Sequence, residues 1–170
     1  MSNCPSLAEK YEEHAPIVRA LNGSRINPRP KPIRDTVTGR VTEFWVRVFA
    51  QSSRVTPEIA RTALAGFNAV AKKHRISTPN YLVDTSNNGT AVIVVEHLTG
   101  LLPFEDSVRG PIQGCFRDQI EGFYAEYRES DEYKLSDAIG DTWRIRNYGL
   151  HELEVVMFDV GCIMPSDTCQ

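Results

Sequence analysis

The run Ala91-Val92-Ile93-Val94-Val95 constrains this chain more than any other stretch. No polar residue interrupts it. A strand built from it buries both faces, so it has to lie inside a sheet with a layer on each side. Asn87-Asn88-Gly89, the turn chemistry that closes hairpins, precedes it, and a second β-type run, Asn80–Asp84, precedes that. A hairpin over 80–84 and 90–96 is therefore the predicted centre of the fold. Covering both its faces takes many apolar side chains, and 41% of the 170 residues are hydrophobic, enough for one domain with a real core.

Helices are predicted on either side of this hairpin. Thr56-Pro57-Glu58 combines an N-cap hydroxyl, a proline at the first helical position and an acid in the first turn. Behind it Ile59, Ala63, Leu64, Phe67, Val70 and Ala71 form one apolar stripe, and Lys72, Lys73 and His74 close the last turn. His74 reads there as a helix-end cation or surface residue. Pro111 opens a second helix, whose stripe of Ile112, Phe116, Ile120, Phe123, Tyr124 and Tyr127 reads as core. Near the start, Ser6 with Glu9 is a capping-box signature and predicts a helix to about Leu21, kinked or divided by Pro16.

Two further strand pairs complete the pattern. Ile33–Val37 and Val41–Phe49 are predicted strands joined at Thr38-Gly39, with Trp45, Arg47 and Phe49 on one face of the second. Arg47 stands in an otherwise apolar face, so it either snorkels to water or meets an anion. At the other end, runs over 143–147 and 153–160 flank a turn. The segment NPRPKP (27–32) is predicted to be irregular because its prolines remove backbone donors. With Arg25, Arg29, Lys31 and Arg34 it is the most basic patch, either a solvated linker or an anion contact. The alternation of helices and hairpins indicates an α+β fold with an antiparallel sheet.

Several function classes are disfavoured. A net charge of −3 gives no push towards nucleic acid or an anionic membrane. No run approaches the roughly 20 apolar residues of a membrane span, and the polar start, MSNCPSLAEKYEEH, does not read as a signal peptide. Cys4, Cys115, Cys162 and Cys169 form no CxxC pair, which fits reduced thiols in a soluble cytoplasmic protein. There is no G-x-S-x-G elbow, and His14, His74, His97 and His151 make no HExxH or paired-His site.

The order of elements after Asn22 resembles the protein-kinase-like fold, in the compact style of small-molecule phosphotransferases and phage-encoded kinase-like proteins. EFWVRVF (43–49) looks like the strand that carries the ATP-pairing lysine, the helix from Thr56 like the C-helix, and EHLTG (96–100) like the hinge. The tail, LSDAIGDTWRIRN to EVVMFDVG, looks like a catalytic loop, a strand pair and an Asp-x-Gly. The resemblance implies an N-terminal helical segment over 1–21, an N-lobe-like sheet and helix over 22–98, and a reduced C-lobe-like part over 99–170, all in one compact domain. It places Asp137 as the catalytic-loop acid and Asp159 as the metal-binding acid. Gly23 and Ser24 fall near the phosphate loop, Arg47 near the strand lysine, and Glu96 and Leu98 at the adenine-facing hinge.

Departures accompany the match. Five residues past Asp137, Thr142 stands where the family has a metal-binding Asn, with Asp141 as a substitute ligand. The phosphate loop has one glycine, Arg47 replaces a lysine, and Glu58 is the only acid of the C-helix-like segment. Such erosion implies a pseudokinase that binds Mg and ATP weakly or not at all and acts on a protein partner, as a phage-encoded modulator of a host factor would. Two alternatives stay open. One is an active small Mg·ATP-dependent phosphotransferase using Asp137 and Asp159. The other is an unrelated α+β binding module whose basic loop meets an anionic partner.

Overall fold

The apolar run forms β5 (Ala91–Glu96), and Ala91 through Val95 are all buried, as a strand covered on both faces must be. The computed structural model describes residues 5–21, 31–34, 41–104, 111–131 and 147–157. β5 pairs antiparallel with β4 (Tyr81–Thr85) across the predicted turn, where Gly89 takes a φ of +79° that suits glycine. On its other side it pairs with β2 (Val41–Val48), which pairs in turn with β1 (Lys31–Arg34), giving the sheet order β1-β2-β5-β4.

β1 corrects one expectation. It begins at Lys31 and includes Pro32, inside the stretch predicted to be irregular. Pro32 is tolerated because β1 is an edge strand and its register slips between Pro32 and Arg34. Arg25 and Arg29 of the basic loop lie outside the described residues.

The N-terminal helix is divided, as Pro16 predicts. The capping box forms, with Glu9 Oε2 accepting from the Ser6 amide at 2.6 Å, and it starts α1 (Leu7–Glu12). α2 (Ala15–Arg19) follows with Pro16 in its first turn. Tyr11, Ala15 and Val18 from this pair cover Phe44, Val46, Val92 and Val94 on one face of the sheet.

α3 (Pro57–Lys73) covers the other face, its N-terminus capped by Thr56 Oγ1, which accepts from the Ile59 amide at 3.3 Å. Its buried side contacts Phe49, Ile93 and Val95. α4 (Pro111–Glu129) packs behind it through the aromatic stripe, with Phe67, Phe123 and Tyr127 in mutual ring contact at 5.1–5.5 Å between centroids.

A second sheet extends the same core. β7 (Tyr148–His151) and β8 (Glu154–Met157) form its central hairpin, β6 (Leu102–Pro103) borders β7 antiparallel, and β3 (Ile76–Ser77) borders β8 parallel. The fold is thus α+β with predominantly antiparallel sheets. β3 and β6 were not foreseen, since two residues carry no period. β7 begins inside the segment 148–152 where a turn was predicted, and the turn sits at Glu152-Leu153, both left-handed (φ 50° and 68°). Gly149 serves close approach instead: a Cβ there would lie 2.7 Å from the Leu102 carbonyl oxygen. Among the described residues no helix is long and apolar enough to cross a membrane.

Candidate functional site

Arg47 lies on the face of β2 that looks towards α3. Its side chain is buried rather than snorkelled, at 5% exposure, with the guanidinium carbon 4.6 Å from the centre of the Phe49 ring. The strand above it is held at the corner into α3, where Ala91 donates to the Val55 carbonyl and Thr90 Oγ1 to the Phe49 carbonyl, at 2.8 and 2.7 Å. α3 presents Ala60, Ala63, Leu64, Phe67 and Val70 inward, and its one acid, Glu58, is exposed near Arg61. The helix that faces Arg47 therefore offers it no carboxylate.

Glu96 and Leu98 lie where β5 leaves the sheet. The Glu96 amide donates to the Asn80 carbonyl at 2.8 Å, and its carboxylate accepts from Asn80 Nδ2 at 2.7 Å, so its backbone N–H is already committed. Beyond it, the His97 ring lies tilted against Trp45, 5.6 Å between centroids, and His151 Nε2 meets the Thr99 carbonyl at 3.1 Å. The linker is thereby tied both to the strand that carries Arg47 and to the closing hairpin. Gly23, Ser24, Asp137, Asp141, Thr142 and Asp159 lie outside the described residues. Among the described residues no group of three His, Cys, Asp or Glu side chains could hold a metal ion.

A concave feature lies elsewhere, at the C-terminal end of α3. There an open groove of about 650 Å³ runs between α3, the first half of α4 and the start of β8. Ile76, Val155 and Phe116 supply its apolar lining, the first two fully buried. Lys72 and Arg75 line it at the helix end, Leu153 and Glu154 at the hairpin tip. This volume falls in the range of roughly 300–1,000 Å³ typical of binding clefts.

The four basic residues 72–75 divide by function. Glu126 of α4 accepts from Lys73 Nζ at 2.9 Å and meets His74 Nε2 at 2.6 Å. Those two hydrogen bonds, Lys73 first, hold the Glu126 carboxyl below its ordinary range. His74 is a helix-end residue, as expected, with its ring edge towards Phe123. Lys72 and Arg75 make no ion pair among the described residues and face the groove. Arg75 is left-handed (φ 55°), and Gln119 Nε2 donates to the His74 and Arg75 carbonyls at 2.6 and 3.2 Å, fixing that turn.

The groove residues were missed in the sequence because each had an ordinary reading: Lys72 as a helix-end cation, Phe116 as core. The signal that was present is the density of cations in KKHR, which exceeds what one helix end needs. No family model, curated protein or solved structure matches this chain.

Proposed function

We propose that this chain is a kinase-like relic that acts by holding a protein partner rather than by transferring phosphate. The observation that carries the reading is the apolar inner side of α3. The kinase-like arrangement needs a carboxylate there to orient the strand cation, and Arg47 instead has an aromatic ring beneath it and an apolar helix face opposite. A guanidinium does not reproduce the compact charge of a lysine, and α3 carries no inward acid to pair with a strand cation. Phosphoryl transfer depends almost wholly on positioning and charge neutralisation, so the loss of that pair bears directly on rate.

A second reading, an active small phosphotransferase, is favoured by one observation. Arg47, Trp45 and the linker at His97 share a face, and the linker is also tied to the hairpin that leads on to Asp159. In that case Mg·ATP would be held by Arg47, the linker backbone near Leu98, and Asp159 with Asp141 or Thr142, the bound metal neutralising phosphate charge.

Thermal unfolding with and without Mg·ATP separates the two. The relic reading expects no nucleotide-dependent rise in midpoint. A rise in the wild-type chain that vanishes in Asp159→Asn would establish the phosphotransferase reading in its place.

A further inference from the structure

The groove at the end of α3 has the makings of a recognition site, and it is remote in purpose from Arg47 and the linker. We infer that it binds an extended peptide segment of a protein partner, one carrying an acidic side chain beside an apolar one. The inference rests on the partner-binding reading above and names the surface and chemistry of that contact.

Charge supplies the first argument. Lys72 and Arg75 line the groove without an ion pair among the described residues, while their neighbours Lys73 and His74 both meet Glu126. Arg75 offers a planar fork suited to a carboxylate, and Lys72 adds a point charge on the same side. Glu154 lines the groove without pairing to either, so a second acid at the hairpin end is repelled. The site therefore favours one acid placed towards α3 over a polyanion.

Shape and exposure supply the second. Leu153 is 91% exposed, the most exposed large apolar residue among those described, and it stands at the rim of a lining made by Ile76, Val155 and Phe116. An apolar side chain of the partner seated there covers Leu153 and the half-buried Phe116 ring together. The groove is partly open to solvent rather than enclosed, which leaves room for a peptide side chain to enter it.

Backbone conformation supplies the third. The described residues include four left-handed non-glycine positions: Arg54, Arg75, Glu152 and Leu153. Arg75 and Leu153 line this groove and Glu152 adjoins it. Leucine is a poor residue for a left-handed turn, where Asn, Asp or Gly relieve the strain. Keeping leucine there sacrifices local stability for an exposed apolar side chain, as recognition surfaces do.

The test pans a library of random linear displayed peptides against the intact chain. The selected peptide is then measured by fluorescence anisotropy against variants. The expected consensus pairs Asp or Glu with a large apolar residue. Arg75→Glu is expected to weaken binding at least about tenfold, as loss of a central ionic contact does. Arg54→Glu, an exposed charge reversal away from the groove, is expected to leave it unchanged. Leu153→Asn is expected to weaken binding similarly while holding or raising the unfolding midpoint, which separates recognition from folding.

No selection, a consensus without acids, or binding indifferent to Arg75→Glu and Leu153→Asn overturns the inference. Equal competition by succinate alone, in place of the peptide, also overturns it in favour of a simple anion site. A peptide captured at another surface defeats this groove but leaves the partner-binding function standing. That function fails instead by the Mg·ATP result described above.

Discussion

β5 presents Ile93 and Val95 to one side of its sheet and Val92 and Val94 to the other. All four are buried, yet the two covering layers are built on different principles. On one side α3 and α4 are long, interlocked by aromatic rings and continuous with the second sheet through Tyr148, Val155 and Met157. On the other, α1 and α2 span six and five residues, too short to be stable without docking. They are held by a small apolar cluster and by a polar clamp in which Asp84 accepts from Tyr11 Oη at 2.8 Å and Arg19 Nε at 2.7 Å. The first layer holds the larger core, and the second, with its short helices and small cluster, is expected to open before it.

The largest effect expected is on the first layer. Phe67→Ala removes a fully buried ring at the α3–α4 contact and should lower global stability by about 3–5 kcal/mol in chemical denaturation. Val70→Ala on α3 and Val18→Ala on α2 make the contrast at equal chemistry. Each deletes a buried valine worth about 2 kcal/mol. Val70→Ala should appear in full in the global midpoint. Val18→Ala should appear chiefly as faster hydrogen exchange over 7–19, with a smaller global change. Equal global losses for the two would show the cover to be part of the cooperative core.

Next in size is Gly149→Ala. The added methyl would meet the Leu102 carbonyl oxygen at 2.7 Å and the Pro103 Cα at 3.1 Å, both backbone atoms that cannot swing aside. A loss of about 1–3 kcal/mol is expected, with exchange protection falling first in β6 and β7. Protection lost throughout α3 as well would tie the second sheet more tightly to the first layer than its short edge strands suggest.

How far this division was legible beforehand depends on the length of the signal. Ala91–Val95 demanded two layers, and Thr56-Pro57-Glu58 placed α3 to the residue, because caps and uninterrupted apolar runs are local statements about backbone and burial. Ser6 with Glu9 did the same for α1, and Pro16 for the break before α2. β3 and β6 could not be read, since two residues show no alternation, and their partners are distant in sequence. The turn at Glu152-Leu153 lacks the Asn or Gly that normally marks a left-handed pair, so the closing hairpin was displaced. At the candidate sites the limit was spatial. Lys72, Lys73, His74 and Arg75 look alike in a row, and only Glu126, 53 residues beyond Lys73, decides which of them remain available.

The smallest effect expected lies in the polar clamp of the cover, and its pH dependence gives the sharpest test. Burial by itself would raise the Asp84 carboxyl, but the Arg19 guanidinium, the Thr85 amide and the Tyr11 hydroxyl together outweigh it, and the group sits below its ordinary range. A carboxyl depressed in the folded state adds stability above the unfolded value, about pH 3.9, and loses it as pH falls through the lower folded value. Asp84→Asn should therefore cost about 1 kcal/mol at neutral pH, modest because Arg19 is half exposed and water competes for it. The gap between wild type and variant should stay constant from neutral pH down to about pH 5 and close below about pH 4. Exchange over 7–19 should quicken over that same acid window while α3 amides hold their protection. A gap that persists unchanged well below pH 3 would mean that Asp84 holds the cover through hydrogen-bond geometry rather than charge.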